Sequence, residues 1–506
     1  MHTNDTHANL DSVPRKITAI EQVRAEKPYN VLLSAGDVFS GTLYFNKFLG
    51  QADLEFMNMA KYDAMTFGNH EFDKDSETLG NFIKNAQFPF VSANIDFSKD
   101  DLLKQYFNQK YSSKPNNAEI YNGIVKTING EKVGIFGLTT EETPSIASPG
   151  SVTFSNYIES AKSAVAEFEK QGVNKIVALT HIGYKDGGID DDTQLANHVE
   201  GIDVIVGGHD HRGLTEPVLV EKFDEPTIIV QANEYNKYLG TLDVTFDADG
   251  KIIGHAGQLI DLNAKTEAGE YVIPANKEAS EILNTKYKPA VDEMEQEVVG
   301  KSEVELLGGN PPSRIGETNL GNFIADGMLA KAKSLNPKTV MAVQNGGGVR
   351  TTLPAGDITT GSILKVLPFS NTLGIMELKG SEIAEAIEYS VEMAPTPNGR
   401  FLQVAGMKFK YDSSKPAGEK VLSIEVQNGD KYEPLNNEET YFVATNVFTA
   451  KGGDGYTMFE KAFNEGRVSQ PGYVDWEVFK EHLEAQPNKT IAPQVEGRII
   501  DVATQK

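Results

Sequence analysis

Gly68-Asn69-His70-Glu71-Phe72-Asp73 follows directly on the short apolar run at residues 62–67. A glycine at the end of a strand lets the backbone turn sharply, and the residues after it offer Asn, His, Glu and Asp at close spacing. Four other segments have the same form: Asp5-Thr6-His7, Gly36-Asp37, Thr180-His181 and Gly207-Gly208-His209-Asp210-His211. Most follow an apolar run, at 29–35, 175–179 and 202–206. Further runs at 132–138 and 227–231 alternate with helical patterns such as 15–24 and 157–170. That alternation predicts an α/β layer architecture.

In open α/β sheets, side chains at the carboxyl ends of strands converge on one crevice. Five such ends carrying Asp, Asn and His predict a metal site. Asp5 and His7 are two apart, so on an extended strand both would point to one face, and the same holds for His209 and His211. A lone Asp-x-His means little, and a lone His after a strand is usually a core or surface residue. The set carries the reading, because five of the nine histidines fall in these segments. Asp, Asn and His without Cys suit Zn²⁺, Mn²⁺ or Fe, not a thiolate zinc. There are more ligands than one ion needs, which suits two ions at the ~3.5–4 Å spacing of two-metal hydrolytic sites.

The chain has 506 residues, enough for two large or about three ordinary domains. With 39% hydrophobic and 24% charged residues it is neither disordered nor fibrous. Its charge is 47 − 72 = −25, a field that disfavours nucleic acid as partner. An anionic substrate then needs a local reversal of sign. With no cysteine, disulfides, zinc fingers and thiol nucleophiles are excluded. No apolar run reaches the ~18 residues of a membrane span. Met1 leads straight into His2-Thr3-Asn4-Asp5, and we expect a trimmed leader.

Residues 274–300 are charged and mostly helix-forming, with a kink expected before Pro289. They read as a helical linker between a domain at 1–273 and another at 301–506. The second half holds Arg314, Asn345-Gly346-Gly347-Gly348-Val349-Arg350, Leu367-Pro368-Phe369, and Phe448 followed by Gly452-Gly453-Asp454-Gly455. Two arginines and a tri-glycine loop suit an anion. Two phenylalanines on loops could stack a flat base, at ~1–3 kcal/mol per base. Asp454 could accept from ribose hydroxyls. Taken singly, a Phe is usually core and a Gly run a turn.

Together, Asp5-x-His7, Gly36-Asp37, Gly68-Asn69-His70-Glu71, His181 and Gly208-His209-x-His211 resemble the calcineurin-type metallophosphoesterase signature. The longer forms, with Asn-Gly-Gly-Gly-x-Arg and Phe-x-x-x-Gly-Gly-Asp-Gly, resemble the 5′-nucleotidase branch over nearly the whole chain. The resemblance implies a four-layer α/β/β/α sandwich plus a second α/β substrate-binding domain. It implies one metal on Asp5, His7, Asp37 and His211, and a second on Asp37, Asn69, His181 and His209. It implies that Asp73 orients His70, which stabilises phosphoryl oxygens. It assigns the nucleoside to Arg314, Asn345, Arg350, Phe369, Phe448 and Asp454, and puts Lys451 where some relatives carry Asn beside the base. Other branches carry Gln or Asn where His211 stands.

The expected activity is hydrolysis of nucleoside 5′-monophosphates such as AMP by a dimetal-activated water, with Zn²⁺ or Mn²⁺ as leading metals. The alternatives on this fold are a 2′,3′-cyclic-nucleotide phosphodiesterase and a UDP-sugar or broad di- and triphosphate hydrolase. A surface adhesin and a DNA nuclease are the rivals from other classes. The partner expected is the nucleotide itself, the oligomeric state stays open with a monomer allowed, and an exported or cell-surface location is implied by the relatives.

Overall fold

The computed structural model describes residues 1–185, 190–369, 371–429 and 431–504. The chain forms two compact units, Met1–Val291 and Asp292–Lys506.

The first unit is built on two seven-stranded sheets. In one, His2–Thr3, Leu33–Ser34 and Ala64–Met65 lie parallel and adjacent. In the other, Glu131–Thr139, Ile176–His181, Val204–Val206 and Thr227–Val230 run parallel. The sheets face each other over one core. Leu33, Ala35, Ala64 and Val91 from the first meet Ile135, Leu179, Val206, Ile228 and Val230 from the second. Helices cover the outer faces. Tyr157–Lys170 buries Tyr157, Ala161, Ala164, Val165 and Phe168, an apolar stripe at helical spacing, and its start is capped by Asn156, whose side chain accepts from Glu159 N. It packs beside Asp192–His198 on the second sheet. Val13–Glu26 and Gln51–Ala60 lie on the first. The layers run helix, sheet, sheet, helix.

The strand Ile176–His181 is buried almost throughout, as a central parallel strand must be. The strands of the first sheet that lead to the site are shorter than their apolar runs. Of residues 29–35 only Leu33–Ser34 is regular strand, because Leu32 N bonds the Asp63 side chain and not a neighbouring strand.

The stretch expected to link the domains forms helices at Lys277–Ile282 and Lys288–Glu295, joined by a π-helical turn at Leu283–Tyr287. Pro289 has no N–H, and its ring cannot sit against the carbonyl of an ordinary preceding turn, so a widened turn precedes it. Ala279, Leu283, Tyr287 and Val291 are buried at four-residue spacing. Tyr287 meets Phe48 edge-on with centroids 4.8 Å apart and reaches the Glu55 carboxylate. Up to Val291 this helix is a packed part of the first unit.

The second unit centres on a five-stranded sheet that includes Leu402–Ala405, Thr339–Asn345, Thr440–Asn446 and Leu373–Lys379. Helix Gly380–Val391 covers it through Ile383, Ala386, Ile387 and Val391. Helix Asn319–Leu335 starts at Thr318, whose hydroxyl accepts from Gly321 N at 3.0 Å. Among the described residues no helix is long and apolar enough to cross a membrane.

Candidate functional site

All five segments leave the carboxyl ends of parallel strands, and their side chains meet. Asp5, His7 and His211 have ligand atoms within 4.8 Å of one another, as do Asp37, His181 and His209, and also His7, Asp37 and His70. Asp37 stands in the middle. Its Oδ2 is 2.9 Å from His181 Nε2, 3.7 Å from His7 Nε2 and 3.9 Å from His70 Nε2. Asn69 Oδ1 lies 2.9 Å from His209 Nδ1.

Two of these placements differ from the strand geometry expected. Asp5 and His7 lie beyond the strand His2–Thr3, with φ of 49° and 46°. His209 and His211 lie beyond Val204–Val206, with φ of 88° and 56°. Left-handed turns, not strand alternation, point each pair inward. Asp5, His7 and Ala8 still donate in sequence to the carbonyls of Gly36, Asp37 and Val38, each at 3.0 Å. The two loops thus continue the parallel pairing of their strands in a curled form. Glycine is required where they meet the third segment. A Cβ on Gly36 would lie 2.4 Å from Gly68 N, and one on Gly68 2.1 Å from Asp37 Oδ1.

Hydrogen bonds set the imidazole tautomers. His7 Nδ1 donates to Phe39 O at 3.1 Å, His181 Nδ1 to Ala35 O at 2.7 Å, and His211 Nδ1 to Glu234 Oε2 at 2.6 Å. These oxygens only accept, so each Nδ1 carries the hydrogen, and in its neutral form each ring would turn a bare Nε2 to the centre. His7 Nε2 and His211 Nε2 are 3.1 Å apart, and Asp5 Oδ1 is 3.3 Å from the latter. Bare lone pairs and carboxylates at such spacing repel, and one proton satisfies only one pair. His181 Nε2 is wholly buried and makes no well-directed hydrogen bond despite its nearness to Asp37. Divalent cations answer each of these features, so the donor set fits metal.

His70, like His211, is held by a carboxylate. Its Nδ1 lies 2.6 Å from Asp73 Oδ2, which also accepts from Ser40 Oγ at 2.5 Å. Burial alone would lower its pKa, but Asp73 and Asp37 outweigh burial and push it up to about 10. His209 is pushed down to about 4, chiefly by burial and then by His181. The neighbouring carboxylates favour the charged form of the first ring, and burial favours the neutral form of the second.

Several supporting residues escaped the sequence reading. Glu71 stands inside a quoted motif, but its role appears only in the fold. It accepts from Gly68 N at 2.6 Å, Asp37 N at 2.9 Å, Val38 N at 2.7 Å and Phe39 N at 3.2 Å, tying two ligand loops together. Asn4 donates to Asp5 Oδ2 and to Asn233 O, each at 2.6 Å. Glu234 is 23 residues from His211 (234 − 211), and no local pattern links them.

In the second unit, Asn345 Nδ2 donates to Asp454 Oδ2 at 2.7 Å, and Asn446 Nδ2 to Asn345 Oδ1 at 2.9 Å. Asp454 has φ of 58°, and a Cβ on Gly347 would lie 3.4 Å from its Oδ2. Arg350, at the end of the same glycine loop, sits over Phe369 at 5.4 Å from the ring centroid. Arg314 O accepts from Asn398 N, while its buried Nε has no hydrogen-bond partner. Phe369 and Phe448 are 50% and 45% exposed, too open to be core. Phe448 stands on the short helix Val447–Ala450, not on a loop, because Asn446 caps that turn through Thr449 N. Lys451 Nζ lies 5.2 Å from the Phe463 ring centroid.

Two family profiles match: "Calcineurin-like phosphoesterase" over residues 1–213 and "5'-nucleotidase, C-terminal domain" over residues 298–461. The chain is 43% identical over 524 residues to the trifunctional nucleotide phosphoesterase protein YfkN of Bacillus subtilis (strain 168), covering 99% of this chain but only 35% of that one. It is 34% identical over 546 residues to a 5'-nucleotidase of Diplobatis ommata, covering 99% and 89%. A crystal structure of a 5'-nucleotidase precursor from Thermus thermophilus is 39% identical, covers 99% of this chain and 98% of that chain, and superposes with a TM-score of 0.59.

Proposed function

The chain belongs to the 5′-nucleotidase family of calcineurin-like phosphoesterases, and from that premise we propose that this enzyme hydrolyses nucleoside 5′-monophosphates such as AMP to nucleoside and phosphate. The observation that carries the reading is the convergence of the imidazoles of His7, His181 and His70 on the single carboxylate oxygen Asp37 Oδ2.

One ion would be held by Asp5, His7, Asp37 and His211, and a second by Asp37, Asn69, His181 and His209. Asp37 would serve both. When bound, such ions neutralise phosphate charge and bring the pKa of water near neutrality. We assign to His70 Nε2–H the donation of a hydrogen bond to a phosphoryl oxygen as charge builds there. Asp73 holds the other side of that ring and keeps it protonated. Arg314 and Arg350 give the positive charge that the net −25 withholds. Phe369 and Phe448 offer faces for a base, and Asp454, fixed by Asn345, an acceptor for ribose hydroxyls. Zn²⁺ and Mn²⁺ both suit two nitrogens and two oxygens per site. An exported location is part of this reading and is tested by cell fractionation.

A broader nucleotide phosphoesterase is the second reading, supported by the name of the Bacillus relative. Phosphate release from AMP, a 2′,3′-cyclic nucleotide, UDP-glucose and ATP, with chelator and then with Mn²⁺ or Zn²⁺ restored, separates the two. AMP is expected to turn over fastest, and only with metal. Equal turnover with chelator would defeat both readings.

A further inference from the structure

We propose that Glu234 is a positioning residue for the metal site that His7 and His211 would share, held in place for that task by the loop at 233–236. The proposal rests on the two-ion reading above. The Nδ1 of His7 and of His181 each donate to a neutral backbone carbonyl. His211 instead has a carboxylate behind it, at 2.6 Å. The other oxygen of Glu234 is engaged by Lys237 Nζ at 2.6 Å, which leaves Oε2 to the imidazole.

The loop is built, not incidental. Asn233, Tyr235 and Asn236 have φ of 63°, 57° and 52°, a region that asparagine tolerates and that costs Tyr235 ~1–2 kcal/mol. Contacts unrelated to His211 hold that strain in place. Asn4 Nδ2 donates to Asn233 O at 2.6 Å, and Tyr235 N to Asp5 O at 2.7 Å. Asn236 takes Lys16 Nζ on Oδ1 at 2.8 Å and Ser12 Oγ on its carbonyl at 2.7 Å. The Tyr235 ring meets both His7 and His211 edge-on, at 5.6 and 5.5 Å. The carboxylate is therefore placed by the loop before any ion arrives. A carboxylate behind an imidazole fixes its orientation and raises the basicity of the far nitrogen, and losing such a partner typically costs 10–100-fold in metal affinity. In the neighbouring site His181 has only the Ala35 carbonyl behind it.

The test is calorimetric titration of chelator-treated full-length protein with Mn²⁺ and with Zn²⁺, for wild type, Glu234→Gln and Glu234→Ala. Wild type should take two ions. Both variants should hold one of the two about 10–100-fold more weakly and the other unchanged. The melting temperature of the metal-free protein should barely move, and raising the metal concentration should restore kcat on AMP. Glu234→Gln keeps the shape and an acceptor oxygen, so it decides the matter should the alanine variant fail to fold. Two ions bound as tightly in Glu234→Gln as in wild type would overturn the proposal. A wild type that takes fewer than two ions would instead overturn the two-ion reading.

Discussion

Asp5, His7, Asp37, His209 and His211 all sit at positive φ, where a side chain other than glycine costs ~1–2 kcal/mol. Strain gathered on proposed ligands means that their direction is imposed by the surroundings, Glu71 and Asn4 among them. Asp37→Ala should abolish AMP hydrolysis and lower bound metal in elemental analysis; full metal content would remove its bridging role. His70→Ala should cut kcat by ~10²-fold with metal retained, and a parallel loss of metal would make it a ligand instead. Asp53, behind the site, has an Oδ2 without a hydrogen-bond partner, and burial, partly offset by Lys16, pushes its pKa up to about 7. The folded state therefore holds this proton more tightly than the unfolded chain, whose value is near 3.8. The stability it contributes is full below that value and is lost as pH rises through about 7. Asp53→Asn should flatten the fall in stability between about pH 4 and 7, by on the order of 4 kcal/mol in urea unfolding.

Among the elements, the short helix Val447–Ala450 and the glycine loop Gly346–Gly348 do comparable jobs. Each ends a strand of the central sheet and presents a side chain that the core could not hold. The turn at 452–455 passes so close that a Cβ on Gly453 would lie 2.5 Å from the Phe448 ring. Replacing both Phe369 and Phe448 with Ala should raise KM for AMP at least ~10-fold, the worth of one lost base stack. KM for a small aryl phosphate should hardly change. Equal effects on both substrates would discard the stacking role.

At the scale of the whole molecule, every proposed metal ligand belongs to the first unit and every proposed nucleoside residue to the second. A ligand that binds only one folded unit stabilises that unit by mass action. Calorimetric melting should therefore show two transitions. Chelation should lower one by several degrees, the expected consequence of ~3 kcal/mol of lost binding at saturating metal, and leave the other in place. A single transition that shifts as a whole would mean that the two units unfold as one.

What the sequence by itself determined is the chemistry on offer and the layers that carry it. The apolar runs became parallel strands and the helix at 157–170 formed over those same residues, because the periodicity of burial is written locally. The ligand inventory was legible because glycine beside Asp, Asn and His is an uncommon pattern at strand ends. Only the tertiary structure decided how those ligands point. The i, i+2 spacing of Asp5 and His7 suggested a strand, whereas a left-handed turn paired to residues 36–38 does the aiming. It alone put Glu71 under two loops and Glu234 behind His211, since a hydrogen bond between residues distant along the chain leaves no local pattern. Backbone strain is affordable only where many such contacts hold it, and those contacts exist only once the sheets have packed.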